Sequence, residues 1–260
     1  MHKLLAGKSR RVSIEPDVVS EGRRLLALAE AHAVPLRLLG GVAIKLRAPN
    51  DLPPGFSRTY ADLDFVTRKK TVGRATELFR GEGYTPHTAF NALHGGERLL
   101  FFDDDNGRQV DVFVGAFSMC HKIPLEERIE IDPVSIPLAE LLVTKLQVIQ
   151  LNEKDVRDAL ALLHDHPIGD EDGDALNGAR VAELCASDWG LWRTITQNLR
   201  ACRAFVDSYD VPDRARLDER LDDLLDRIER APKARAWRFR AKIGDRKRWY
   251  ELPEEVAGGP

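Results

Sequence analysis

Leu36-Arg37-Leu38-Leu39-Gly40-Gly41-Val42-Ala43-Ile44, followed after a loop by Asp62-Leu63-Asp64-Phe65-Val66, decides how this chain is read. An apolar run meets a Gly-Gly pair and continues as an apolar-periodic segment, the pattern of a strand, a tight turn and a helix start. Glycines at such a turn let the backbone approach a ligand, and free N–H groups at a helix start favour phosphate. The second run opens with two acids one residue apart. Side chains alternate along a strand, so Asp62 and Asp64 are expected on one face. Two carboxylates there repel unless a cation lies between them, and Mg²⁺ takes carboxylates together with substrate phosphates. Further on, Val110-Asp111-Val112 sets a third carboxylate in an apolar strand. Acids entering apolar strands are costly without a charged partner. The ordinary alternatives are a turn cap for Asp62, Arg58 as partner of Asp64, and Arg108 as partner of Asp111.

Working outward, Pro16 to Ala33 carries apolar residues at helical spacing and ends before Pro35. Residues 48 to 60 are rich in Pro and polar residues and read as an ordered loop. A second helix is expected over 71–82. Leu99 to Phe102 and Gln109 to Val114 read as a hairpin, with Asp103-Asp104-Asp105 as its solvated tip rather than a metal ligand set. A helix from Pro137 carries Lys145, and another opens at Asn152-Glu153-Lys154-Asp155. For Lys145 the plain alternative is a lysine stem lying along a helix with its ammonium in solvent.

Gly-Gly before a helix, Asp-x-Asp on the next strand and a third Asp on a later strand together resemble the polymerase β-type nucleotidyltransferase superfamily. With Lys145 and Asp155 added, the set is more similar to the bacterial abortive-infection (AbiEii-like) toxins, over roughly residues 36 to 165. The resemblance implies a mixed-sheet nucleotidyltransferase core. It also implies that Lys145 and a downstream helix acid, Asp155 or Asp158, complete the site; we take Asp155. It implies transfer of an NMP from an NTP to an acceptor hydroxyl, with two Mg²⁺ ions (or Mn²⁺ in their place) held by Asp62, Asp64 and Asp111. Gly40 and Gly41 would meet the triphosphate, with Lys45, Arg47 or Arg58 supplying positive charge. Many superfamily members carry Gly-Ser where this chain has Gly-Gly, although the AbiEii-like branch shows Gly-Gly as well. The acceptor is open between the tRNA 3′ end, a protein and a small molecule such as an antibiotic. Some relatives are toxins, so an antitoxin partner enters the expectation. A non-catalytic nucleotide- or RNA-binding module on the same fold is the alternative.

The chain has 260 residues, with a net charge of −3. That balance confines any nucleic-acid contact to a local patch. Three separated cysteines with no Cys-x-x-Cys pair argue against zinc and fit a reducing cytoplasm. No apolar run reaches the ~20 residues of a membrane helix. The fold expected is α+β, a mixed sheet with flanking helices over 1–166 and an all-helical region over 175–260. The acidic, Gly-rich segment 167–175 is the boundary, and His164-Asp165-His166 before it reads as an exposed helix end. The last stretch is basic, with Arg238, Arg240, Lys242, Arg246 and Arg248 interleaved with Trp249 and other aromatics. It reads either as a nucleic-acid surface or as a helix paired with the acids of 217–229.

Overall fold

Asp17 accepts the Ser20 N–H at 2.8 Å and so starts α1, Val18–Ala31, whose inward stripe is Glu21, Gly22, Leu25 and Ala29. These coordinates, a computed structural model, describe residues 14–208 and 211–252; the basic lead at residues 1–12 lies outside them. The fold is α+β. After α1 come β1 (Leu36–Leu39), α2 (Gly40–Arg47), β2 (Leu63–Thr67) and α3 (Val72–Gly81). Next are β3 (Thr85–Pro86), α4 (Thr88–His94), β4 (Arg98–Asp103) and β5 (Arg108–Val114). A small hairpin of β6 (Ala116–Ser118) and β7 (Lys122–Pro124) leads to α5 (Leu138–Leu146) and α6 (Glu153–Asp165). β8 (Ile168–Gly169) pairs in parallel with β9 (Leu176–Asn177), and α7 (Gly178–Ser187), α8 (Trp189–Ser208), α9 (Arg214–Arg230) and α10 (Arg235–Ile243) follow.

The main sheet has the order β1-β2-β5-β4-β3. The β2–β5 pair is parallel and the other neighbours are antiparallel. Register places Leu39, Asp64, Asp111 and Leu100 opposite one another in a single row across four strands. The Gly-Gly turn leaves β1 from the end of that row. Fold and site therefore share one origin: the apolar alternation that pins each strand also sets the two acids side by side.

The helices expected at 16–33, 71–82 and from Pro137 and Asn152 are present. So is the hairpin, although its tip differs from expectation. Asp103 is buried, takes hydrogen bonds from Asn106 and lies 3.6 Å from Arg108, while Asp104 and Asp105 are exposed. Helix α4 has no counterpart in the pattern because none of its residues is buried. It is held instead by Asn91, whose side-chain amide bonds both the N–H and the C=O of Leu100.

One apolar cluster runs from Leu25 through the sheet and α5–α6 to Leu217, Leu221, Leu224 and Ile228 of α9. The 167–175 segment is tied to the sheet side, with Arg128 on Asp172 at 2.8 Å and Arg47 donating to the Gly173 carbonyl. His166 is buried and bonds the Asp174 carbonyl, so it is no exposed helix end. His164 lies against Asp165 and Asp213. Cys120, Cys185 and Cys202 are buried free thiols, and burial pushes Cys202 up to about 12. No helix among the described residues is long and apolar enough to cross a membrane.

Candidate carboxylate site at the Gly-Gly turn

Gly40 takes a φ of +73°, the left-handed region that favours glycine, and a β-carbon there would overlap the Asp64 carboxylate. A β-carbon at Gly41 would overlap the Arg58 guanidinium and press on the Tyr60 ring. The Gly-Gly pair is thus demanded by what lies against it: an acid on one residue and a cation on the next. The first N–H groups of α2, which have no partner within the helix, sit at this point.

Asp64 stands half-buried at the second position of β2, while Asp62 is exposed just ahead of the strand, which begins at Leu63. Neither carboxylate has a hydrogen bond or ion pair among the described residues. Burial, with the Asp111 and Asp62 charges added, pushes the Asp64 carboxyl up to about 8. Asp111, beside Asp64 in register, is already engaged. Arg98 Nε meets its Oδ1 at 2.7 Å and Gln109 Nε2 meets its Oδ2 at 2.8 Å. Arg108, the partner considered from sequence, instead donates to the Glu15 and Pro16 carbonyls.

The third wall comes from the helices. Arg58 forms a fork on Asp158 of α6, Nε to Oδ1 at 2.8 Å and Nη2 to Oδ2 at 2.7 Å, rather than pairing with Asp64. Lys145 of α5 lies 2.8 Å from Asp158 and 3.6 Å from Asp155. Its ammonium is pulled down by burial, but Asp158, Asp155 and Asp64 outweigh that and hold it above its ordinary value. Burial pushes the Asp158 carboxyl up, and Arg58 and Lys145 more than reverse it. Asp155 is raised by burial and is tied to Asn152, which caps α6. Of the two acids left open by sequence, the buried Asp158 takes the tighter contact with Lys145. Tyr60 lies with its ring 4.5 Å from the Arg58 guanidinium, and its buried hydroxyl has no partner among the described residues.

Two expected phosphate ligands point elsewhere. Lys45 pairs with Asp51 at 2.9 Å and Arg47 with Asp132, because one or two turns of α2 carry them away from its N-terminus. Arg58 remains as the cation at the Gly-Gly turn. Asp158, Arg98 and Tyr60 were not chosen from sequence. Arg98 was within reach: counting back from the hairpin tip sets Arg98 against Phe113 and so diagonal to Asp111.

Among the described residues, no three acids, imidazoles or thiols are gathered into a ready-made cation site. The donor chemistry still fits a hard divalent ion at Asp62 and Asp64, two unpartnered carboxylates whose mutual repulsion a cation relieves. Asp111 joins them through lone pairs not used by Arg98 and Gln109.

The basic C-terminal stretch divides. Arg240 donates to the Gly244 and Lys247 carbonyls and lies 4.5 Å from the Trp189 ring centroid. Trp249 donates to Thr194 at 3.1 Å and packs edge-on to Trp189, so it belongs to the packing on α8. Arg238, Lys242, Arg246 and Arg248 are exposed and have no carboxylate partner among the described residues. The acids of α9 pair instead with Arg203, Arg227 and Arg230. No protein-family model matches the chain, and no curated protein matches it.

Proposed function

We propose that the chain is a metal-dependent nucleotidyltransferase of the polymerase β type. Within that class the reading narrows to the AbiEii-like branch, acting in the cytoplasm, possessing Gly-Gly where others carry Gly-Ser. The observation that carries the reading is the row Asp64–Asp111 across parallel strands, ending at a Gly-Gly turn that admits no β-carbon.

Asp62 and Asp64 would hold Mg²⁺, with Asp111 contributing lone pairs that Arg98 and Gln109 leave unused. Bound there, the metal would neutralise charge on the triphosphate and activate the acceptor hydroxyl. The chain's own groups do the positioning. The α2 N-terminus receives phosphate oxygens through its N–H groups. Arg58 and Lys145, both locked on Asp158, present positive charge without having to reorganise. The Tyr60 hydroxyl, buried without a partner among the described residues, would bond the same substrate once binding uncovers it. Transfer is then mostly orientation and charge stabilisation at phosphorus.

The Asp111–Arg98 pair favours a second reading, a nucleotide- or RNA-binding module that does not turn over. Incubation with Mg²⁺, each α-labelled NTP and total tRNA, beside Asp62→Ala, tests both. Label on RNA, or on protein, that the variant loses supports transfer. NTP binding with no labelled acceptor of any class, small molecules included, overturns it in favour of the module. A small protein that co-purifies would support an antitoxin partner.

A further inference from the structure

In-line transfer requires the acceptor oxygen to approach phosphorus opposite the departing pyrophosphate. On the proposed function, which this inference extends, the triphosphate lies on the β1–α2 side of Asp64, against Gly40, Gly41 and Arg58. Sheet order then dictates the other approach, because β5 with Asp111 is flanked on its far side by β4. On that flank a cavity of about 520 Å³ opens beside Arg98. Phe113, on the same sheet face as Asp111, is its floor, and Phe90 of α4 is a half-buried wall. The Arg98 guanidinium lies 5.8 Å from the Phe90 ring centroid and 5.2 Å from that of Phe113. Its Nε is spent on Asp111, and its remaining N–H groups have no hydrogen bond among the described residues.

We propose that this cavity is the acceptor subsite and that it takes the 3′-terminal nucleoside of a single-stranded RNA. Phe90 and the Arg98 plane supply surfaces on which a base stacks. Lys122, exposed at the rim, has no ion pair among the described residues and meets the adjoining phosphate. Glu97 and Glu251, also at the rim, accept bonds from ribose hydroxyls or base amino groups and repel a longer run of phosphates inside. The cavity therefore suits an end rather than the middle of a strand. Its outer wall is the chain at Glu251 and Leu252, anchored by the Glu251 N–H on the Cys120 carbonyl at 3.0 Å. That chain arrives directly from Arg246, Lys247 and Arg248, all exposed and without carboxylate partners among the described residues. They line the approach that the upstream phosphates would follow. Arg98 joins the two halves, because the guanidinium that meets the acceptor also holds Asp111.

The test is fluorescence anisotropy with a 5′-fluorescein-labelled single-stranded RNA of about 12 nucleotides, the scale of a single-strand binding site, without metal or NTP. A labelled NTP analogue with Mg²⁺ is titrated in parallel on the same full-length proteins. Phe90→Ala and, at the exposed rim, Lys122→Glu are each expected to weaken RNA binding roughly tenfold, and a 3′-phosphate on the RNA to do the same. NTP binding stays as in the unsubstituted protein. RNA binding that ignores both substitutions and the blocked end overturns the proposal, as does label transfer to protein with RNA unbound. Loss of NTP binding alone would sink the transferase reading while the RNA subsite stands.

Discussion

Replacing Asp64 by Asn removes a carboxyl that the metal-free fold keeps from ionising at a cost, so the variant should be more stable than the parent. The carboxyl ionises at about 8 in the fold against 3.8 as a free side chain. The folded state therefore binds more protons than the unfolded state between those values, and stability falls as pH rises through that window. At pH 7 the shift spans about three pH units, or about 4 kcal/mol, and about half that once water at the half-buried carboxylate screens the repulsion. For a chain of this size the melting temperature should rise by roughly 4–8 °C. The assay is thermal unfolding in EDTA from pH 5 to 9, followed by the same scans in Mg²⁺. The gap between variant and parent should widen with pH, and Mg²⁺ should stabilise the parent alone. A gap that is flat with pH, or a variant less stable than the parent above pH 7, would refute the argument that Asp64 is a strained, cation-seeking acid.

Asp158→Ala leaves Arg58 and Lys145 without their shared partner and should cost about 3–5 kcal/mol; Asp155→Ala should cost about 1 kcal/mol. Chemical denaturation distinguishes them, and equal losses would remove Asp158 from the centre of the network. Tyr60→Phe deletes a buried hydroxyl that bonds nothing among the described residues, so stability should hold within about 1 kcal/mol while Mg²⁺–NTP affinity falls; calorimetry reads the two separately. Glu21 carries a third prediction. Burial pushes its carboxyl up, but Arg24, Tyr84 and the Glu15 N–H outweigh that and hold it below the ordinary 4.5. Its ionised form stabilises the fold above 4.5, and that contribution is lost as pH falls through the lowered value. Glu21→Gln should thus cost about 2 kcal/mol at pH 7 and progressively less in acid, as urea titrations across pH would show.

The row that joins Asp64 to Asp111 was legible because alternation in an apolar strand fixes which face an acid occupies. The turn was legible because Gly-Gly after an apolar run has few other uses. The counter-charges were harder. Arg58 sits in a loop without period, and nothing local says that it turns to α6 rather than to the neighbouring acids. Lys45 and Arg47 stand apart for a related reason: nearness to Gly41 in sequence becomes distance once α2 winds, and each finds a carboxylate there. Arg98 is legible only through the hairpin's register, which sets it diagonal to Asp111. The choice between Asp155 and Asp158 turned on which side of α6 faces Lys145, a question that packing answers and spacing left open.

The fork between Arg58 and Asp158 spans 100 positions of chain. Contacts so far apart in sequence form after the local ones, since the intervening loop must close first. A ribosome emitting this protein therefore releases Asp62 and Asp64 well before Arg58 and Lys145 are clamped on Asp158, whereas Asp111 meets Arg98 as soon as the hairpin forms. Until α6 emerges and docks, Asp62 and Asp64 have no fixed positive wall opposite them. The order of synthesis itself keeps the site incomplete until more than half of the protein exists.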